Sequence, residues 1–284
     1  MEILSVLFLS VILSVGRNVT TKKTALFTGQ KASFFLFQTV LFTTASQLLL
    51  IFYIKTPTSI GVTTLIYGLI YGCFILLSQW MFTFALKSGN TSVCSVIYSL
   101  GFIIPTVSGS LFWGEQTSLF DLIGIVLAVI ILLSAKKDKE HTARNGKFVP
   151  YIIVAMVSSG GLGVMQKIQQ SSRFAEEKAA FLLIAFLLAS LSSMTGYLTL
   201  RQRPDFKKRM LIYPTLTGLC FGGANLCNTV LAGRMRSAAF FPTQNVLTIL
   251  LTMLFGCLIF KEKLTAKNAV VLLLGVAVVI VFCL

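Results

Sequence analysis

The chain has 284 residues, of which 56% are hydrophobic and only 12% charged. Water-soluble chains carry about 25% charged residues, so a single soluble core is excluded and a lipid environment is required. The net charge of +15 does not mark a nucleic-acid-binding face, because the basic residues stand in short clusters such as Lys136-Lys137 and Arg201 to Arg209, where they report topology instead.

Ten apolar stretches follow, with approximate bounds 3–23, 32–54, 60–86, 91–112, 119–135, 148–167, 179–199, 211–231, 237–259 and 267–284. Each crosses about 30 Å of hydrocarbon with about 20 residues at 1.5 Å rise. The first lacks a basic leader region and a small-residue cleavage site, so it reads as a helix and not as a signal peptide. Ser10, Ser14 and Asn18 share one of its faces, with Arg17 beside them and Gly16 as a point where the backbone can loosen.

In the third stretch Tyr67 and Tyr71 are four residues apart on one face, followed by Gln79 and Trp80. The fourth carries Ser95, Tyr98 and Ser99, then Gly101 and Pro105, which predict a kink. Ser158, Ser159, Gly160, Gly161 and Gly163 give the sixth a small-residue stripe, whose plain reading is close helix packing. The eighth holds Asn225, Asn228 and Thr229; the ninth holds Pro242, Gln244, Asn245, Thr248 and Thr252. The tenth is nearly all aliphatic. Cys73, Cys94, Cys220, Cys227, Cys257 and Cys283 lie inside apolar stretches without metal-ligand spacing and read as packing residues.

The odd-numbered loops hold most of the basic residues, from Lys22 and Lys23 to Lys261 and Lys263, whereas the even loops carry only Lys55, Lys167, Arg173, Lys178, Arg234 and Arg236. Positive residues stay cytoplasmic, so both termini are expected outside. The short tails suggest the plasma (inner) membrane of a prokaryote, crossed many times.

Displaced by about 147 residues, the chain matches itself: Cys73-Phe74 falls on Cys220-Phe221, Ala85 on Ala232, Gly109 on Gly256 and Glu115 on Glu262. With a small gap, Gly16 and Lys23 fall on Gly160 and Lys167 with the same spacing. Residues 1–136 and 148–284 are thus expected to be two repeats, joined by a cytoplasmic linker at 137–147. Five helices per half is an odd number, so the halves insert with opposite orientation. The fold class expected is all-α integral membrane, with ten transmembrane helices in two five-helix inverted-topology repeats.

The chain resembles the drug/metabolite transporter superfamily and, within it, the ten-helix EamA-like branch. The residues that carry the likeness are Gly16 to Lys23, Ala85 to Gly89, Gly114-Glu115 with Gly124, and Glu262 with Gly275, over essentially the full length. Lys261 and Val271 depart from the pattern, where family members often have glycine. The resemblance implies a central cavity lined by helices one to four and six to nine, with helices five and ten peripheral.

Polar side chains inside a span face a cavity or a neighbouring helix. The candidate substrate-binding set is Ser14, Asn18, Tyr67, Tyr71, Gln79, Trp80, Tyr98, Ser158, Asn225, Asn228, Gln244 and Asn245, with Arg17 as the candidate anion anchor. Tyr67, Tyr71 and Trp80 read equally well as membrane-interface or core aromatics. Glu115 and Glu262 read as caps for the helices they precede. No Asp or Glu falls inside a span, and His141 is a loop residue. No enzyme chemistry, metal or cofactor is therefore expected, nor proton-for-cation exchange through a membrane carboxylate.

These residues predict an alternating-access transporter of a small polar metabolite, working by facilitated diffusion or exchange. Amides and hydroxyls suit an amino acid or a related zwitterionic or neutral solute. The alternatives are a quaternary-amine carrier using Tyr67, Tyr71, Trp80 and Tyr98 as a cage, a translocator of lipid-linked substrates, and a non-transporting assembly partner. The partners expected are a small-molecule substrate and the lipid bilayer, for a monomer or a homodimer, with no nucleic acid.

Overall fold

The computed structural model describes residues 2–25, 31–88, 97–116, 122–123, 126, 148–200 and 209–260, and among them every regular element is helical. Helices α1 (Glu2–Ala25), α2 (Lys31–Lys55) and α3 (Val62–Ser88) are the first three expected spans. The fourth is α4, Ile97–Trp113, which passes through a 3₁₀ turn at Leu100–Phe102 just before Pro105. The sixth to ninth are α5 (Phe148–Ser171), α6 (Lys178–Leu198), α7 (Arg209–Arg234) and α8 (Ser237–Phe260). Outside the described residues lie the tenth span, the linker 137–147 and all of the fifth span but 122–123 and 126. So do Gly89, Ser95, Gly124, His141, Glu262 and Gly275.

Five helical runs, namely α1, α2, α3, α5 and α6 with the turn before it, are long and apolar enough to cross a membrane. Helices α7 and α8, with 26 and 24 residues, reach about 36–39 Å at 1.5 Å per residue. Their side chains are sorted for lipid. On α1, Leu4 and Phe8 are 71% and 62% exposed while Ser10 is wholly buried. On α6, Leu191 is exposed and Ser193 buried; on α3, Leu65, Ile66 and Leu69 are exposed while Tyr71 and Gln79 are buried. Apolar outside and polar inside is the arrangement that hydrocarbon rewards, since it offers polar groups no partners. The protein is a multi-pass membrane protein.

Two compact units make up the chain, Met1–Leu76 with Ile168–Gly233 and Leu77–Lys167 with Arg234–Leu284. In the first unit α1 and α7 form a seam of four rungs. Thr217 donates to Thr20 at 2.8 Å, and a Cβ on Gly16 would stand 2.9 Å from Cys220 Sγ. Leu13 fills the space above Gly223, and Ser10 donates to Asn228 Oδ1. Steps of three or four residues down α1 are matched by steps of three to five up α7, so the helices run antiparallel. Gly16 does not loosen α1, which is helical throughout; it lets the two helices approach.

Helix α2 lies antiparallel along α6, with Phe35 on Gly196, Thr43 and Ser190 hydroxyls 2.7 Å apart, and the Phe42 and Phe186 rings adjacent. Against α7 it runs parallel: Leu41 meets Gly218 and Ala45 meets Gly222. The carboxylate of Glu177 accepts the Gly61 N–H at 3.2 Å, just before α3 begins. An acidic group there complements the positive end of the helix.

In the second unit α4 and α5 run parallel at very short range. A Cβ on Gly101 would lie 2.5 Å from the Met156 carbonyl oxygen, Ile104 packs on Gly160, and Pro105 on Gly163. Phe82 and Ala85 of α3 form a core with Phe148, Ile152 and Ala155 of α5. At the end of α4, Gly114 adopts φ 61° and the Glu115 N–H donates to the Gly109 carbonyl at 3.3 Å. That left-handed step closes the helix and brings the Glu115 carboxylate to the α8 start.

Replacing Gly218 by Val drives a side chain into the Leu41 backbone, and overpacking of this kind costs about 1–3 kcal/mol. Thermal unfolding in detergent should show a clearly lowered midpoint for Gly218→Val and none for Leu111→Ala, which changes an exposed side chain. An unshifted Gly218→Val would mean that α2 and α7 do not touch here.

Candidate functional site

Of the residues nominated from sequence, Ser14, Arg17, Asn18, Tyr67, Tyr71, Asn225 and Asn228 belong to the first unit. Tyr71 is wholly buried and its hydroxyl donates to Asn225 Oδ1 at 2.5 Å, a bond from α3 to α7. The Asn225 amide donates in turn to the Phe221 carbonyl one turn earlier, at 2.8 Å. Its oxygen and its nitrogen are therefore both engaged within the protein. Phe181 of α6 stacks obliquely against the Tyr71 ring at 4.8 Å and fixes it from the other side.

One turn further along α7, Asn228 is half-buried and accepts from the wholly buried Ser10. Ser10 was visible in the sequence only as part of a polar face. The Arg17 guanidinium stacks over the Phe221 ring with its centre 4.0 Å from the centroid, a cation–π contact that holds the charge within the unit. Lys23 extends the basic edge, 5.7 Å above the Tyr213 ring. Ser14, Asn18 and Tyr67 are half-buried. The unit thus presents hydroxyls, carboxamides and aromatic rings beside the Arg17 guanidinium. Apart from Glu2 at the start of α1, neither α1 nor α7 contains a carboxylate.

Gln79, Trp80, Tyr98, Ser158, Gln244 and Asn245 belong to the second unit. Tyr98 shares a 2.8 Å hydrogen bond with Ser78 and packs 4.5 Å from the Phe82 ring. Gln79 and Ser158 are buried and Trp80 half-buried. Gln244 reaches Thr248 at 3.5 Å, one turn along the same face, and the Asn245 amide donates to the Phe241 carbonyl at 2.8 Å. The Asn245 carboxamide is therefore tied to its own helix.

A third arrangement was not anticipated. Lys167, read in the sequence as a loop charge, is buried, and its Nζ lies 2.5 Å from Glu115 Oε1. It also donates to the Met235 carbonyl at 3.4 Å. The other Glu115 oxygen accepts the Ser237 N–H at 2.6 Å, so this carboxylate caps α8; the helix start expected after it in sequence lies outside the described residues. Arg236 adds a bond to the Gln116 carbonyl at 3.2 Å. The ends of α4 and α5 and the start of α8 are thus held by one buried ion pair. The sequence carried a trace of it, the equal Gly-to-Lys spacing that set Lys167 apart.

Removing one member of a buried pair leaves an unmatched charge, at about 3–5 kcal/mol. Lys167→Met and Glu115→Gln should each lower thermal stability strongly, and the double variant should lose less than the two added together. Strict additivity in that cycle would show that the pair is not formed.

A family model described as "Sugar transport protein" matches residues 8–284. That is a transporter family, related to the drug/metabolite transporters that the residues resemble but not named as one of them. A comparison with curated proteins found no match. One solved crystal structure, described only as that of a protein, is 14% identical and superposes with a TM-score of 0.77, over 99% of this chain and 96% of the other. At that identity the likeness shows the fold alone.

Proposed function

We propose that this chain, which belongs to the sugar transport protein family, carries a small neutral sugar or polyol across the membrane by alternating access. The coarse part, a membrane transporter, rests on the family match and the long apolar helices. The observation that carries the substrate class is the hydroxyl and carboxamide cluster of the first unit: Ser10, Tyr71, Asn225 and Asn228, from three helices. Sugar hydroxyls both donate and accept, and so do amides and hydroxyls. A neutral ligand needs no fixed counter-charge there. The half-buried Tyr67 ring offers an apolar face to the C–H surface of a sugar ring.

In this reading the chain crosses ten times, as two five-helix repeats of opposite orientation with both termini outside. The antiparallel α1–α7 seam and the parallel α4–α5 pair support it, since a chain alternating at each span imposes those directions. Movement then needs no coupling ion, and flux follows the gradient of the solute.

A second reading, an amino-acid carrier, is favoured by one observation. Arg17, stacked on Phe221, is a planar donor that suits a carboxylate. Counterflow in proteoliposomes without ion gradients separates the two. With unlabelled D-hexoses inside, labelled hexose should accumulate transiently, and Asn228→Ala should lower its kcat/KM about tenfold, the worth of one hydrogen bond near 1.4 kcal/mol. Accumulation of amino acids alone, lost in Arg17→Gln, would establish the second reading. Neither, in folded protein, would leave lipid-linked substrates or a non-transporting role.

A further inference from the structure

Asn225 and Asn228 are one residue type, one turn apart on α7, yet they are engaged differently. An amide offers two acceptor positions on oxygen and two N–H donors. Asn225 spends both ends internally, its oxygen on the Tyr71 hydroxyl and its nitrogen on the Phe221 carbonyl, and only 5% of it is exposed. Among the described residues Asn228 spends only its oxygen. Ser10 Oγ donates to Oδ1, and no described residue accepts from the Asn228 Nδ2. Ser10 is wholly buried and makes no other bond among the described residues, so its single proton is committed to that oxygen.

The seam explains why this pair forms. The rungs Thr20–Thr217, Gly16–Cys220 and Leu13–Gly223 set α1 against α7 in a register that places Ser10 opposite Asn228. The hydroxyl then selects the amide orientation. With Oδ1 held by Ser10, the N–H2 group is the end left for a ligand. A partly buried amide donor without an acceptor is unfavourable, and a bound oxygen removes that penalty.

We infer that Asn228 contacts the transported sugar purely as a hydrogen-bond donor, and that Ser10 is the positioning residue that fixes it in that role. The inference rests on the sugar-carrier reading and deepens it. Its consequence is a rule of recognition: the sugar oxygen at Asn228 is read as an acceptor. Fluorine at that ring position keeps acceptor character and cannot donate, whereas hydrogen keeps neither.

The test is competition by monodeoxy and monofluoro D-hexoses against labelled hexose in proteoliposomes. For the unmodified protein, one ring position should tolerate fluorine within about threefold while its deoxy analogue binds about tenfold more weakly, one hydrogen bond's worth. Asn228→Asp, which accepts but does not donate when ionised, should remove that tolerance. Ser10→Ala frees the amide to turn, so KM should rise several-fold with little change in kcat, and the fluoro–deoxy difference should collapse. Ser10→Thr keeps the hydroxyl and should keep the difference. A purely structural role for Ser10 would weaken all analogues equally and lower the thermal midpoint, and that outcome overturns the inference. So does a fluoro–deoxy profile unchanged in Asn228→Asp, or the lack of any fluorine-tolerant position in a protein that does transport hexoses. Absence of hexose uptake by the unmodified protein overturns the carrier reading, and this inference with it.

Discussion

Hydrocarbon neither donates nor accepts hydrogen bonds, so each polar group carried into a span must find its partner on another part of the protein. The pairing of Ser10 with Asn228, of Tyr71 with Asn225 and of Thr20 with Thr217 answers that demand across three helices of the first unit. In the second unit Ser78 with Tyr98 and Lys167 with Glu115 do the same. The contacts thereby set helix register, which the non-directional packing of Leu and Val against lipid cannot do.

Close approach is the second half of the same solution. Hydrogen bonds of 2.5–2.8 Å between helices require backbones near each other, and the glycines supply that room. Gly16 and Gly223 bring α1 onto α7, Gly218 and Gly222 bring α2 onto α7, and Gly101 and Gly160 seat α4 on α5. In lipid there is no hydrophobic force to press helices together, so van der Waals contact over small residues carries more of the association. Two glycine rungs stand between two polar rungs on α1 and α7 for this reason, and the amides of α7 are held at defined positions as a result.

The elements were legible in the sequence because a span leaves a long signal. Eight of the ten expected stretches reappear as helices within a few residues of their predicted bounds. What each polar residue bonds to was not legible. Asn225 and Asn228 look alike in the sequence, and only the partners of each, Tyr71 and Phe221 against Ser10, tell them apart. Lys167 read as a loop charge because its partner is 52 residues away, and hydropathy does not encode that distance. The kink expected near Pro105 appears as a 3₁₀ turn at Leu100–Phe102, where Gly101 packs directly on the Met156 carbonyl. Neither hydropathy nor charge encodes the substrate class, and the family match shows a membrane transporter without fixing its solute.

The central claim is that the α7 amide of the first unit meets a sugar. The most direct measurement is the alkylation rate of Asn228→Cys, in protein whose native cysteines are replaced, with and without saturating D-hexose. The account predicts a reactive thiol that hexose protects in a saturable way and that amino acids leave untouched. A thiol whose rate is the same with and without a hexose that the protein demonstrably transports would contradict it.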